Sequence, residues 1–116
     1  MKINYFTLFI LYLVSIPISY AAVYEKSNRT KVTWVGAYHS SSASGDVLIR
    51  VDKPSASCSA GYLLLEGTPG LNSSLSIAIS AFHSDTTIEV HAYTAKPWRG
   101  SSSSQWCIIE GIHLVK

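Results

Sequence analysis

Two cysteines and an export signal constrain the fold of this chain more than any other feature. Cys58 and Cys107 are the only cysteines in the 116-residue sequence. The first 21 residues read as a secretory signal peptide: Lys2 is the positive n-region, Tyr5 to Val14 the apolar core, and Ser19-Tyr20-Ala21 the small-x-small cleavage site. The rival reading, a membrane anchor, is met by an apolar run too short to span comfortably and broken by Ser15, Pro17 and Ser19. Residues 22–116 then form one small domain, secreted or periplasmic, with no membrane span after cleavage. At that size burial alone gives marginal stability, so a staple is expected. An oxidising compartment preserves disulfides, and two cysteines allow only one pairing. Closing a loop of about 50 residues stabilises by roughly 4 kcal/mol in the chain-entropy model. Two free buried thiols are the alternative. A metal site lacks any second Cys or His at ligand spacing beside either cysteine.

The formal net charge is +2, and Lys2 leaves with the signal. The remaining cations are scattered, from Lys26 and Arg29 to Lys96, Arg99 and Lys116. Nucleic acid as a main partner would need a basic stripe, and none is present.

Along the chain, Val23 to Asn28 reads as a loosely ordered polar lead-in. Thr30 to His39 is rich in β-branched and aromatic residues and reads as a first strand, with Val32, Trp34 and Tyr38 on one face and Trp34 in the core. Gly36 permits a bend or bulge there. After the serine-rich Ser40 to Gly45 loop, Asp46 to Asp52 alternates as a second strand: Val47, Ile49 and Val51 point one way, Leu48 and Arg50 the other. Lys53-Pro54 breaks the pattern. Tyr62 to Leu65 is a continuous apolar run, hence a third strand buried on both sides or lying at an interface. Leu71, Leu75, Ala78, Ile79 and Phe82 fit a helical stripe, although Leu75 to Ser80 also alternates like a strand. The length of the span, and a cap available from Asn72, Ser73 or Ser74, favour a helix ending at His83-Ser84-Asp85. Thr86 to Thr94 is the fourth strand, with Ile88, Val90 and Ala92 inward. Ala95 to Gln105 is a long loop. Trp106 to Val115 is the fifth strand, with Ile108, Ile112 and Leu114 on one face.

The expected fold is therefore mostly β with one helix, in the order of the OB-fold: a five-stranded Greek-key barrel with its helix between strands three and four. Strands three and five run parallel in that fold, and the two cysteines sit where they begin.

That layout resembles a group of small secreted bacterial OB-fold proteins. The shared features are a signal peptide, a cysteine before the third strand, an apolar helix (Leu75-Ser76-Ile77-Ala78-Ile79-Ser80-Ala81-Phe82), a β-rich segment (Thr87-Ile88-Glu89-Val90-His91-Ala92) and a second cysteine near the fifth strand. The same plan is similar to the cell-binding B subunits of subtilase-type AB toxins. The resemblance implies a ring-forming subunit that binds a surface glycan or receptor beside a catalytic partner chain. No sugar-contacting residue of those toxins maps onto a position in this sequence.

The residues point away from catalysis. Four histidines, seven acids and many serines always allow a triad to be drawn, but no Gly-x-Ser-x-Gly elbow, His-x-x-x-His pair or phosphate-cradling glycine loop occurs. A small hydrolase would need an acid and a histidine converging beside a serine. Asp46 and Asp52 read as solvated strand ends rather than paired carboxylates. His91 and His113 are possible cross-strand neighbours, read as outward polar residues rather than metal ligands. No cofactor is implied. The best binding signal is the loop around Trp98 and Arg99, facing the loop rooted at Tyr38 and His39: aromatic faces suit the apolar side of a sugar, and arginine and serine supply hydrogen bonds. Trp98 can equally fold back as a plug over the barrel end. Apolar residues on both faces of strands three and five suggest a homo-oligomer or partner interface. The expected function is thus a non-catalytic glycan- or receptor-binding subunit, with a periplasmic or envelope protein-binding module as the alternative.

Overall fold

The computed structural model describes residues 24–40, 42–94, 98–101 and 105–116. The stretch read as an export signal (residues 1–21), Ser41 and six residues of the long loop, Pro97 among them, lie outside the described residues. Six strands and one helix follow in the order β1 (Tyr24–Lys26), β2 (Val32–Ala37), β3 (Val47–Val51), β4 (Gly61–Leu64), α1 (Leu71–Ser84), β5 (Ile88–Tyr93) and β6 (Trp106–Leu114). They form one mixed sheet with neighbours β1-β5-β6-β4-β3-β2.

The expected barrel is corrected in two respects. The sheet has six strands rather than five, and it is open, with β1 and β2 at its edges. The sixth strand comes from the segment read as a loose lead-in: Tyr24, Glu25 and Lys26 pair antiparallel with Tyr93, Ala92 and His91. Three residues are too few to show a period, so only the partner strand makes them a strand.

The centre of the sheet is its one parallel contact, β4 with β6, in which Tyr62 lies opposite Cys107. One 3₁₀ turn (Ala56–Cys58) leads into β4 and brings Cys58 to Cys107, with the disulfide closed at a Cα–Cα distance of 5.4 Å. Both cysteines are buried.

Alternation on the central strands fills two cores. Val47, Ile49, Tyr62, Leu64 and Cys107 face α1, whose Ala78 and Ala81 press onto the sheet. Tyr62 is fully buried, and its hydroxyl receives the Ser55 backbone N–H at 3.0 Å. Leu48, Leu63, Trp98, Trp106 and Ala43 form a second core on the opposite face. Of the apolar surplus on these strands, Leu63, Leu64 and Ile112 are buried within the chain, and Leu65, Ile108 and Ile109 only partly so. Both sides of β4 are buried by its own fold.

The helix is real, but its apolar stripe runs in a different phase. Leu71, Leu75, Ile77, Ala78 and Ala81 face the sheet, while Ile79 and Phe82 are exposed. No serine or asparagine caps it: Gly70 is the N-cap, without a side-chain bond. Ser76 and Ser84 instead turn their hydroxyls to the carbonyls of Asn72 and Ser80, satisfying polar groups within the helix. Asp85 ends it in the left-handed conformation at φ 54°, the Thr86 N–H reaches back to Ala81, and the Asp85 carboxylate takes the Lys31 ammonium at 2.8 Å.

Two bulges redirect side chains. In β2, Val32 opposes Val51 and Trp34 opposes Arg50, so Thr33 is an extra residue. Val32 and Val35 consequently face the helix side, and Trp34 turns to the outer face, 41% exposed rather than in the core. In β6, Gly111 opposes His91 and Ile109 opposes Ala92, leaving Glu110 extra. Ile109 and Ile112 thus share the helix face, Ile108 lies on the other, and Leu114 is exposed.

Replacing both cysteines by alanine is expected to lower the unfolding free energy by about 2–4 kcal/mol, because a long loop is released in the unfolded chain. Urea unfolding of the oxidised protein and the double variant measures this. Equal midpoints would mean the parallel pair holds without its clasp.

Candidate functional site

The outer face, opposite α1, is built around one carboxylate. Asp46 stands where the β2–β3 hairpin re-enters the sheet, its N–H bound to the Ala43 carbonyl and its own carbonyl to the Tyr38 N–H. The side chain has 0% exposure, so it is not the solvated strand end its sequence position suggested. A buried carboxylate needs donors. Two loops supply three: the Trp98 indole N–H at 2.9 Å and the Arg99 guanidinium at 3.3 Å from the loop before β6, and the Glu66 backbone N–H at 2.8 Å from the loop after β4. Asp52, in contrast, is exposed.

This polar knot fixes Trp98, which is 5% exposed and packs edge-on against Trp106 (centroids 5.7 Å apart) and Tyr38 (5.3 Å). Of the two readings open for Trp98, the plug describes its position: the ring is a wall of the second core and offers no free face. Tyr38 remains 41% exposed, Arg99 is half-exposed beside Asp46, and His39 is exposed at the hairpin tip, its carbonyl taking the Ser44 hydroxyl at 2.7 Å. Tyr38, Trp98 and Arg99 thus come together. Among the described residues, no ring contact or hydrogen bond joins the His39 side chain to them.

The contacts continue beyond the expected residues. Arg50, on the outward side of β3, places its guanidinium 5.6 Å from the Trp106 ring and 5.1 Å from the Trp34 ring. Tyr38, Trp98, Trp106, Arg50 and Trp34 therefore form one unbroken arc, with accessible aromatic surface at both ends. Each of the three tryptophans lies over a glycine: Trp34 over Gly36, Trp106 over Gly61 and Trp98 over Gly100. Gly61 admits no side chain, since at φ 132° its Cβ would stand 2.5 Å from the Ile49 carbonyl and 2.8 Å from Trp106.

Such an arrangement can stack a flat apolar surface and hydrogen-bond its polar rim. Trp34 and Arg50 were the residues missed as site components. The cross-strand pairing of an arginine with a tryptophan was visible only in the parity of β3, and the β2 bulge concealed its partner.

At the far side of the sheet His91 and His113 are cross-strand neighbours, ring centroids 4.8 Å apart. Among the described residues no group of three or more His, Cys, Asp or Glu side chains converges as a metal set. Tyr93 stacks with Tyr24, and its phenol titrates above the usual value, chiefly through the hydrogen bond with Tyr24 and then through burial. No described helix is long and apolar enough to cross a membrane.

Comparison of the chain with protein-family models, curated proteins and solved structures finds no match.

Trp98→Ala is expected to cost about 3–5 kcal/mol, since it leaves a cavity in the second core and takes the indole donor from Asp46 Oδ2. Trp34→Ala, at an exposed ring, should cost less than about 1 kcal/mol. Thermal or urea unfolding of the two variants tests the contrast. A near-neutral Trp98→Ala would contradict the plug.

Proposed function

We propose that this chain is a secreted or periplasmic, non-catalytic binding protein that takes a cell-surface glycan or receptor on its outer face. The observation that carries the reading is the pair of exposed aromatics, Trp34 and Tyr38, held at the two ends of a rigid arc whose middle is buried. Ring and guanidinium positions fixed before binding lose little entropy when a ligand arrives.

The strand order supports an OB-like arrangement as part of this proposal. β1 and β2 lie at opposite sheet edges yet are separated by five residues, and Thr30 between them exchanges two backbone bonds with Ile88, at 3.0 and 2.8 Å. One continuous stretch thereby touches both sides of the sheet. The face over β3 and β4, flanked by the loop after β2 and the loop before β6, is where OB-folds take ligands. The disulfide fits an oxidising compartment. The likeness in layout to toxin B subunits favours a cell-surface ligand within this proposal.

A second reading, an envelope protein-binding module, is favoured by Ile79 and Phe82, exposed on the outer side of α1.

A glycan array probed with the purified oxidised protein tests the first reading. Trp34→Ala and Tyr38→Ala are each expected to weaken any hit at least tenfold with unchanged melting temperature. Binding that survives both substitutions, or no hit at all, counts against it. A crosslink from Phe82 to a partner chain in native extract would favour the second.

A further inference from the structure

A cleft distinct from the aromatic arc opens at the end of the sheet where the β1–β2 connection passes the C-terminal end of β6. It encloses about 330 Å³ and is lined by Arg29, Thr30, Lys31, Asp52, Lys53, Thr87, Val115 and Lys116. At ~30 Å³ per water that is room for about ten waters. Four cationic side chains line it against one acidic side chain, Asp52, in a chain whose side chains sum to a formal net charge of +2. The local excess of positive charge is thus out of proportion to the whole molecule.

We propose that this cleft is a binding site for an oxyanion, a sulfate, phosphate or carboxylate group carried on a larger ligand. Its walls are held by main-chain bonds that leave the cationic heads available. The Lys53 N–H is tied to the Thr30 hydroxyl at 2.7 Å, the Asp52 N–H to the Lys31 carbonyl at 3.0 Å and the Val115 N–H to the Thr87 carbonyl at 3.0 Å. Arg29 is braced by one bond from Nη1 to the main-chain oxygen of Lys116 at 3.1 Å, which leaves its other N–H groups to donate. Lys31 is engaged by Asp85 at 2.8 Å and acts as a flanking charge. The ammonium groups of Lys53 and Lys116 have no ion-pair or hydrogen-bond partner among the described residues. A guanidinium and two unpaired ammoniums around one hollow make charge-assisted bonds to an anion, whereas left unfilled they repel one another. Asp52 limits the site to a ligand that keeps its charge toward Arg29, Lys53 and Lys116.

This inference is independent of the aromatic arc, and its test separates the two. Amide shifts of the purified oxidised protein are followed while sodium sulfate, sodium phosphate, or a sulfated disaccharide beside its desulfated form replaces sodium chloride at constant ionic strength. Shifts are expected to concentrate at Arg29, Lys53, Thr87 and Lys116. The apparent affinity should fall at least tenfold in Lys53→Gln/Lys116→Gln, and Trp34→Ala should leave it unchanged. Both substituted lysines are exposed, so the double variant is expected to fold. A sulfated disaccharide that binds more tightly than sulfate places the anion on a glycan, and equal binding places it on a small ion. Shifts spread over all basic residues, or a response unchanged in the double lysine variant, would overturn the site. Loss of array binding in Trp34→Ala with sulfate binding intact leaves this site standing whatever becomes of the aromatic face.

Discussion

The side-by-side, parallel run of β4 and β6 is the joint on which the rest of the molecule turns. Its partners are more than forty residues apart in sequence, so the chain must close a long loop before any ladder bond forms there. The covalent link one turn upstream of β4 keeps that loop closed in the unfolded chain as well, so much of the entropy is no longer lost on folding. β3 and β5 flank the pair as antiparallel neighbours, and β2 and β1 lie outside them. Helix α1 is the connection between β4 and β5 and necessarily falls across the face where Tyr62, Ile49 and Cys107 point.

The opposite face is closed by loops, and loops need a polar reason to lie against apolar strands. Asp46 provides it. A carboxylate withdrawn from water would destabilise the fold alone, but with an indole, a guanidinium and a backbone amide as donors it fastens three separate connections at one point. The aromatic residues then fill the space between that knot and the strands. Arg50, on the same face but outside the seal, joins the buried rings to the exposed one.

Much of this was legible in the residues. The alternation of Val47, Ile49 and Val51 against Leu48 places β3, the unbroken run of Tyr62 to Leu64 announces a strand covered twice, and the cysteine positions agree with a parallel closure. Part of what escaped traces to the two bulges. Thr33 and Glu110 each add one residue to a ladder, and every side chain beyond them changes sides. A period of two read straight through Trp34 or Ile112 then gives the wrong face. Tyr24 to Lys26 carry no signal of their own because their strand character belongs to β5. Asp46 was misplaced since nothing local marks a carboxylate whose donors lie 20, 52 and 53 residues away. The helix phase failed for a simpler reason: Ile79 and Phe82 look like core by type, and only the small Ala78 and Ala81 permit close approach to the sheet.

The pairing of every indole with a bare α-carbon has a consequence for how this surface can vary. Gly36, Gly61 and Gly100 are recesses, and each ring sinks to the level of the main chain because nothing projects beneath it. The relief of the exterior is thus written in atoms that are missing. One methyl group at any of the three would raise an indole off its seat and change the contour a visiting molecule meets, without altering a single residue that touches it.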